Sequence, residues 1–229
     1  MIEKKKFAVF DIDGTLIRWQ LYHAVVHKLG KAGQLMPGDF EAINDARMEW
    51  KNRRTNEGFH SYEQLLVEHF ITALPSIDTG IYDQVIQEVF DEYKDQIFTY
   101  TRDLVQQLKG EGYLLFAVSG SPREVIELLA QHHGFHDAIG CSFTRKEGHF
   151  TGEYTTPIFD KKTALDSLVQ KHGATYTQSY AVGDSASDAA MLEVVTHPIA
   201  FSPDQNLFKI AKDRDWPIVV ERKNVVYEL

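Results

Sequence analysis

The chain has 229 residues, of which 43% are hydrophobic and 25% are charged, and its formal net charge is −9. These proportions are those of ordinary globular domains, and they exclude a fibrous or wholly disordered chain. The acidic balance argues against nucleic acid or an anionic membrane as a partner, because both attract basic surfaces.

The sequence predicts a cytoplasmic location. The charged start, MIEKKK, lacks the apolar run of a secretory signal, and no stretch approaches the ~20 apolar residues of a membrane helix. The single cysteine, Cys141, rules out an internal disulfide. We therefore expect no membrane partner; the oligomeric state is left open.

The first predicted strand is the short apolar run FAVF at residues 7–10, which ends in Asp-Ile-Asp-Gly. Residues 18–97 instead place apolar side chains at helical spacing among many charges. Turn residues interrupt this pattern at 30–38, near Gly58 and at 75–80. The segment is therefore predicted to form about four helices. Within it, His23 and His27 are four residues apart and are predicted to lie on a polar helix face rather than to bind a metal.

From Thr101 onwards, helical and strand patterns alternate. The predicted strands are YLLFAV (113–118), CSF (141–143), HFTGEYT (149–155), SYAV (179–182), PIAF (198–201) and WPIVV (216–220). Such alternation is typical of a doubly wound α/β fold with a mostly parallel sheet. We expect a core made of residues 1–17 and 98–229, with residues 18–97 inserted after the first strand as a helical cap.

Three predicted strands end in residues that carry polar groups. Asp11 and Asp13 follow the strand FAVF, Ser119 and Gly120 follow YLLFAV, and Asp184 follows SYAV, with Asp188 shortly after it. The carboxyl ends of parallel strands meet at one edge of a sheet, so these residues are expected to converge there. Four carboxylates in a small space would repel one another, and a hard divalent cation such as Mg²⁺ relieves that repulsion.

Four motifs in this order resemble those of haloacid-dehalogenase-like (HAD) phosphatases, in the branch similar to phosphoserine phosphatase. They are FDIDGTL (10–16), VSGS (118–121), a lysine that opens a helix (Lys161 or Lys162) and VGDSASD (182–188). Residues 201–219 also resemble that branch. The resemblance implies a Rossmann-like HAD core and a Mg²⁺-dependent phosphatase that acts on a small phosphorylated metabolite.

The resemblance also implies a role for each motif residue. Asp11 would attack phosphorus and form an aspartyl-phosphate, and Asp13 would protonate the leaving oxygen and then activate water. Ser119 and the backbone N–H of Gly120 would hold phosphate oxygens. The metal would be bound by Asp11, the backbone carbonyl of Asp13, Asp184 and, through water or by positioning the lysine, Asp188.

Two adjacent lysines match the third motif. Lys161 places Leu165 and Leu168 four and seven residues further on, which is the packing face expected of the family's helix. Lys162 lacks this spacing. Lys161 is therefore predicted to be the lysine that offsets negative charge in the transition state.

Gln20 stands where phosphoserine phosphatases have a glutamate that holds the amino group of the substrate. A neutral amide lacks charge complementarity to an ammonium group, which disfavours phosphoserine as substrate. Arg18, Trp19 and Gln20 lie where the core meets the cap and are candidate specificity contacts, with a hinge or packing role as the alternative. Phosphotransfer by a mutase-like enzyme and non-catalytic phospholigand binding remain alternative functions.

Overall fold

A computed structural model describes residues 5–53, 58–223 and 225–229. The chain divides into two compact units. The core unit comprises the residues up to Gln20, Glu92–Cys141 and Thr156–Leu229, and the helical unit comprises Leu21–Asp91 and Ser142–Thr155. No helix in the described ranges is both long and apolar enough to cross a membrane.

The core unit is built on a mixed β-sheet. Its strands are β1 (Lys5–Phe10), β2 (Leu114–Pro122), β3 (Asp137–Lys146), β5 (Ala174–Gly183), β6 (His197–Phe201), β7 (Ile218–Arg222) and β8 (Val225–Glu228). The order across the sheet is β3-β2-β1-β5-β6-β7-β8, and within it only β8 runs antiparallel to its neighbour. The predicted mostly parallel α/β architecture is confirmed.

Helices flank this sheet and hold its strands in place. They are α5 (Thr99–Gly110), α6 (Arg123–His133), α7 (Lys161–His172), α8 (Ala189–Leu192) and α9 (Gln205–Asp213). Phe7 and Val9 of β1 share an apolar cluster with residues of α7, α8 and α9. The alternate residues Ala8 and Phe10 are fully buried as well. Both faces of the central strand are therefore covered, which explains its continuous apolar sequence.

The helical unit contains α1 (Leu21–Lys31), α2 (Pro37–Lys51), α3 (Gly58–Ala73) and most of α4 (Thr79–Tyr93), with a short 3₁₀ turn at Leu74–Ser76. It also contains the hairpin made by the end of β3 and by β4 (His149–Thr155). The predicted core, residues 1–17 and 98–229, includes these hairpin residues, and the predicted cap includes residues 18–20 and 92–97. The compact units divide the chain differently at these places.

Aromatic packing explains why the hairpin groups with the helices. The ring of Phe143 lies 5.3 Å from that of Phe70, and the ring of Phe150 lies 5.0 Å from that of Tyr82. All of these side chains are buried. Aromatic pairs at such distances contribute about 0.5–1.5 kcal/mol beyond the burial of their surface.

The polar helix face predicted for the two histidines of α1 is wrong for His23. His23 is buried, and Nε2 of His27 lies 2.8 Å from the hydroxyl of Tyr62 on α3. Burial, with a smaller contribution from Arg47, lowers the pKa of His27 to about 4. His27 is therefore a neutral, hydrogen-bonded packing residue at physiological pH.

Candidate active site

Asp11 directly follows β1 and remains in register with the sheet, because its backbone N–H donates to the carbonyl of Val182 on β5 (2.9 Å). Its side chain is almost completely buried. The chain then turns sharply: the N–H of Gly14 donates to the carbonyl of Ile17 (2.9 Å), and the N–H of Ile17 donates to the carbonyl of Ile12 (2.8 Å). This turn carries Asp13.

Glycine is required in that turn for two reasons. Gly14 has φ +80°, a backbone conformation that residues with a Cβ rarely adopt. A Cβ added at Gly14 would also overlap the carboxylate of Asp184. The Gly of the first motif therefore lets the loop after β1 approach the loop after β5.

Lys161, the first residue of α7, reaches into the same place. Its Nζ lies 2.6 Å from Oδ1 of Asp11 and 2.6 Å from Oδ1 of Asp188, and its side chain is 3% exposed. The side chain of Lys162 is 47% exposed and pairs with Asp166 in the next turn of the helix. Of the two lysines that match the third motif, the structure brings Lys161 to Asp11.

The loop after β5 holds Asp188 by its own backbone. Oδ2 of Asp188 accepts hydrogen bonds from the N–H groups of Asp184 (3.1 Å) and Ser185 (2.9 Å). Ser185 and Asp188 form a reciprocal capping box at the start of the 3₁₀ turn Ala186–Asp188. Asp188 is fully buried, and its two oxygens have different partners: Oδ2 accepts from the loop backbone, and Oδ1 accepts from Lys161.

Ser119 and Asp13 are brought together from two strand ends. Oγ of Ser119 donates to Oδ2 of Asp13 (2.7 Å) and accepts from the N–H of Ser121 (2.9 Å). Ser119 is fully buried in the second half of β2. Gly120 follows it, and a Cβ added there would lie 3.2 Å from Cδ1 of Ile158. The second motif therefore packs tightly at the same sheet edge.

Three of the predicted metal ligands cluster closely enough to bind one cation. Carboxylate oxygens of Asp11, Asp184 and Asp188 all lie within 4.8 Å of one another. An all-oxygen donor set of this kind fits a hard cation such as Mg²⁺. The carboxylate of Asp13 is not part of this group and is engaged by Ser119.

The electrostatics of the cluster favour a cation. Burial raises the pKa of Asp11 to about 7, opposed by Lys161 and reinforced by Asp188 and Asp13. Burial, Asp11 and Asp188 raise the pKa of Asp184 well above its ordinary value. Burial alone would lower the pKa of Lys161, but Asp11 and Asp188 outweigh it and hold that pKa above its usual range. Full ionisation of these carboxylates beside a single lysine is therefore unfavourable, and a bound cation would favour it.

Two of the three candidate specificity residues contact other parts of the core unit. The guanidinium of Arg18 pairs with Glu221 of β7 and lies 5.1 Å from the ring of Phe98. Trp19 stacks on Tyr93, with ring centroids 6.0 Å apart, and is 41% exposed. Gln20 is half-buried. The recorded partners of Arg18 and Trp19 lie outside the carboxylate cluster.

Two residues that the four motifs do not predict contact the chain just after Asp13. Thr101 is fully buried, and its hydroxyl donates to the carbonyl of Thr15 (2.9 Å). Glu221 is a buried carboxylate that pairs with Arg18. A charged residue at the end of the apolar run WPIVV was the one local signal that could have drawn attention to Glu221.

Comparison with known sequences supports the resemblance found from the motifs. Histidinol-phosphatase of Neisseria meningitidis serogroup C (strain 8013) is 29% identical over 223 residues, which cover 94% of this chain and 98% of that protein. Phosphoserine phosphatase SerB2 of Mycobacterium tuberculosis (strain ATCC 25618 / H37Rv) is 26% identical over 210 residues, or 90% of this chain. The alignment spans only 46% of SerB2.

Solved structures share the fold. A protein of unknown function from Bordetella pertussis Tohama I has a TM-score of 0.75 at 21% identity, with 94% of this chain and 98% of that chain covered. A phospho-aspartyl intermediate analogue of phosphoserine phosphatase has a TM-score of 0.65 at 21% identity, with 97% of this chain and 96% of that chain covered.

Residues 8–193, most of the chain, match the family model described as haloacid dehalogenase-like hydrolase. The chain therefore belongs to the haloacid dehalogenase-like hydrolase family.

Proposed function

We propose that the protein is a Mg²⁺-dependent phosphatase that hydrolyses a small phosphomonoester through an aspartyl-phosphate on Asp11. The observation that carries this proposal is the buried cluster in which Lys161 bridges Asp11 and Asp188 beside Asp184. It joins a nucleophile, a fixed positive charge and an oxygen-rich cation site at one sheet edge. Family membership and relatives named as phosphatases support the same activity.

In the first step an oxygen of Asp11 attacks phosphorus and the ester P–O bond breaks. The leaving oxygen takes a proton from Asp13, two residues further along the chain. Lys161 offsets the charge that Asp11 and the phosphoryl group bring together. When bound by Asp11, Asp184 and the carbonyl of Asp13, Mg²⁺ would neutralise phosphate oxygens and orient them for in-line attack.

In the second step water attacks the phosphoryl group on Asp11. Asp13, now a carboxylate, accepts a proton from that water, and the P–O bond to Asp11 breaks to release inorganic phosphate. Ser119 and the backbone N–H of Gly120 would donate to phosphate oxygens. The Ser119 hydroxyl, which donates to Asp13 in this structure, would then exchange that partner for phosphate.

The names of the relatives suggest where a substrate search should begin. They refer to histidinol phosphate and phosphoserine, both of which are phosphate monoesters of small molecules that carry an amino group. Gln20 cannot supply the negative charge that would recognise an ammonium group. The first panel should therefore vary the charge and size of the leaving group around these two compounds.

The test is phosphate release from such a panel, with Mg²⁺ and with excess chelator. Asp11→Asn is expected to lower kcat by at least about 10³-fold, since an amide is a very poor nucleophile. Asp103→Asn, which changes an exposed carboxylate on α5, serves as the matched control and should retain activity. Near wild-type turnover by Asp11→Asn would refute the nucleophile assignment. Failure of every ester with folded wild-type protein would favour phosphotransfer or phospholigand binding instead.

A further inference from the structure

Glu221 combines nearly complete burial with a full set of partners. Its side chain is 1% exposed. Oε1 accepts from the guanidinium of Arg18, and Oε2 accepts from the backbone N–H of Tyr100 (2.8 Å). A buried carboxylate is costly unless it is paired and hydrogen-bonded, and Glu221 uses both of its oxygens. The arrangement holds two separate chain segments at one point on β7.

These two segments also pair with each other. The N–H of Arg18 donates to the carbonyl of Gln96 (2.8 Å), and the N–H of Phe98 donates to the carbonyl of Leu16 (3.0 Å). One segment follows the turn after Asp13, and the other leads into α5. Glu221 therefore anchors a small antiparallel ribbon at its base, where the chain leaves and re-enters the core unit.

The ribbon is continuous with the turn that carries Asp13. The N–H groups of Leu16 and Ile17 both donate to the carbonyl of Ile12 (2.9 and 2.8 Å). Thr101 of α5 donates to the carbonyl of Thr15 from the other side. Any displacement of residues 16–18 would therefore be transmitted to Asp13 within one turn of chain.

We infer that Glu221 is a positioning residue for the reaction: through Arg18 and Tyr100 it fixes the turn, so that Asp13 presents its carboxyl group to the leaving oxygen. The inference rests on the proposed function, in which Asp13 is the general acid. Arg18 then serves to link Glu221 to the turn rather than to contact substrate. No role for Glu221 follows from the four motifs, since it lies beyond all of them in the chain.

A misplaced general acid has a specific kinetic signature. An alkoxide leaving group requires a proton in the transition state, whereas p-nitrophenolate leaves without one. Glu221→Gln keeps the shape of the side chain but loses its charge and one acceptor. We expect this variant to lower kcat on an alkyl phosphate by about tenfold or more, and on p-nitrophenyl phosphate by less than about threefold.

The matched control is Glu193→Gln. Glu193 also pairs with an arginine, Arg214, but both side chains are about half exposed. Exposed ion pairs contribute little to stability, so this variant should leave both rates unchanged. If Glu221 acts through Arg18, then Arg18→Met should give the same leaving-group dependence, and the double variant should be no worse than either single one. Equal losses on both substrates in Glu221→Gln would show a merely structural role and overturn the inference.

Hydrogen exchange separates failure of this inference from failure of the proposed function. Glu221→Gln should speed amide exchange of Leu16 and Ile17 by about tenfold, whereas Glu193→Gln should not. Unchanged exchange at residues 12–18 would overturn the inference whatever the activity. If the wild type hydrolyses neither ester, the proposed function fails, and the catalytic role of Glu221 fails with it. Hydrogen exchange then still decides whether Glu221 fixes the turn.

Discussion

At the scale of single residues, the site separates two lysines that are adjacent in the chain. Lys161 is buried between Asp11 and Asp188, and Lys162 is exposed beside Asp166. Successive residues of a helix point about 100° apart, so only one of the pair can face the sheet edge. Asp160 caps the helix, accepting from the N–H of Thr163 (2.9 Å), and thereby sets which lysine comes first.

This difference predicts opposite outcomes for the same substitution. Lys161→Met should lower kcat by at least about 100-fold, because it removes the positive charge that lies 2.6 Å from Asp11, the proposed nucleophile. Lys162→Met should change kcat by less than about twofold, since an exposed ion pair between residues one helical turn apart contributes little. Steady-state kinetics of the two purified variants, with circular dichroism to check folding, makes the comparison. Similar losses in both would contradict the assignment of Lys161.

At the scale of an element, the end of β5 and the following turn act as one unit. Asp188 is held by the N–H groups of Asp184 and Ser185, and it packs directly against Gly183. A Cβ added at Gly183 would overlap Asp188. The Gly-Asp-Ser sequence thus forms a loop that brings the carboxylates of Asp184 and Asp188 close together.

Gly183→Ala should therefore displace Asp188 and its bond to Lys161. We expect at least a tenfold loss of kcat and a destabilisation of about 1–3 kcal/mol, as for overpacked interiors. Gly110→Ala is the control, because nothing lies within 4 Å of a Cβ added at the end of α5. That change should be neutral or slightly stabilising. Urea unfolding and kinetics measured together test this, and equal stability of the two variants would contradict it.

At the scale of the whole molecule, buried negative charge connects stability to cation binding. The raised pKa values of Asp11 and Asp184 show that these carboxylates are destabilised as anions in the fold. A cation that binds only the folded protein would relieve this and shift unfolding by mass action. Stability should therefore depend on divalent cation even when no substrate is present.

Mg²⁺ is expected to raise the Tm of the wild type in a concentration-dependent way. The free energy of unfolding should rise by about 2.7 kcal/mol when free Mg²⁺ is 100 times its Kd, and excess chelator should reverse this rise. Asp184→Asn should abolish most of the shift by removing a ligand. Asp213→Asn, an exposed change on α9, should keep the shift. Scanning calorimetry of the three proteins decides the matter, and a full shift in Asp184→Asn would exclude Asp184 as a ligand.

The sequence by itself determined the alternation of strand and helix, the α/β class and the order of the four motifs. It could do so because hydrophobic period, helix caps and strand-end motifs are local properties of the chain. Lys161 could even be chosen over Lys162 from the spacing of Leu165 and Leu168. The family resemblance followed from these short segments and is confirmed by the family match.

The sequence predicted that the motif residues converge at one sheet edge, but only the tertiary structure decided which side chains pair. Lys161 and Asp11 are 150 residues apart, Ser119 and Asp13 are 106 apart, and Glu221 and Arg18 are 203 apart. The grouping of Ser142–Thr155 with the helices likewise depends on aromatic side chains from distant segments. Burial, pairing of charges and side-chain packing arise only when the chain is folded, so no local pattern specifies them.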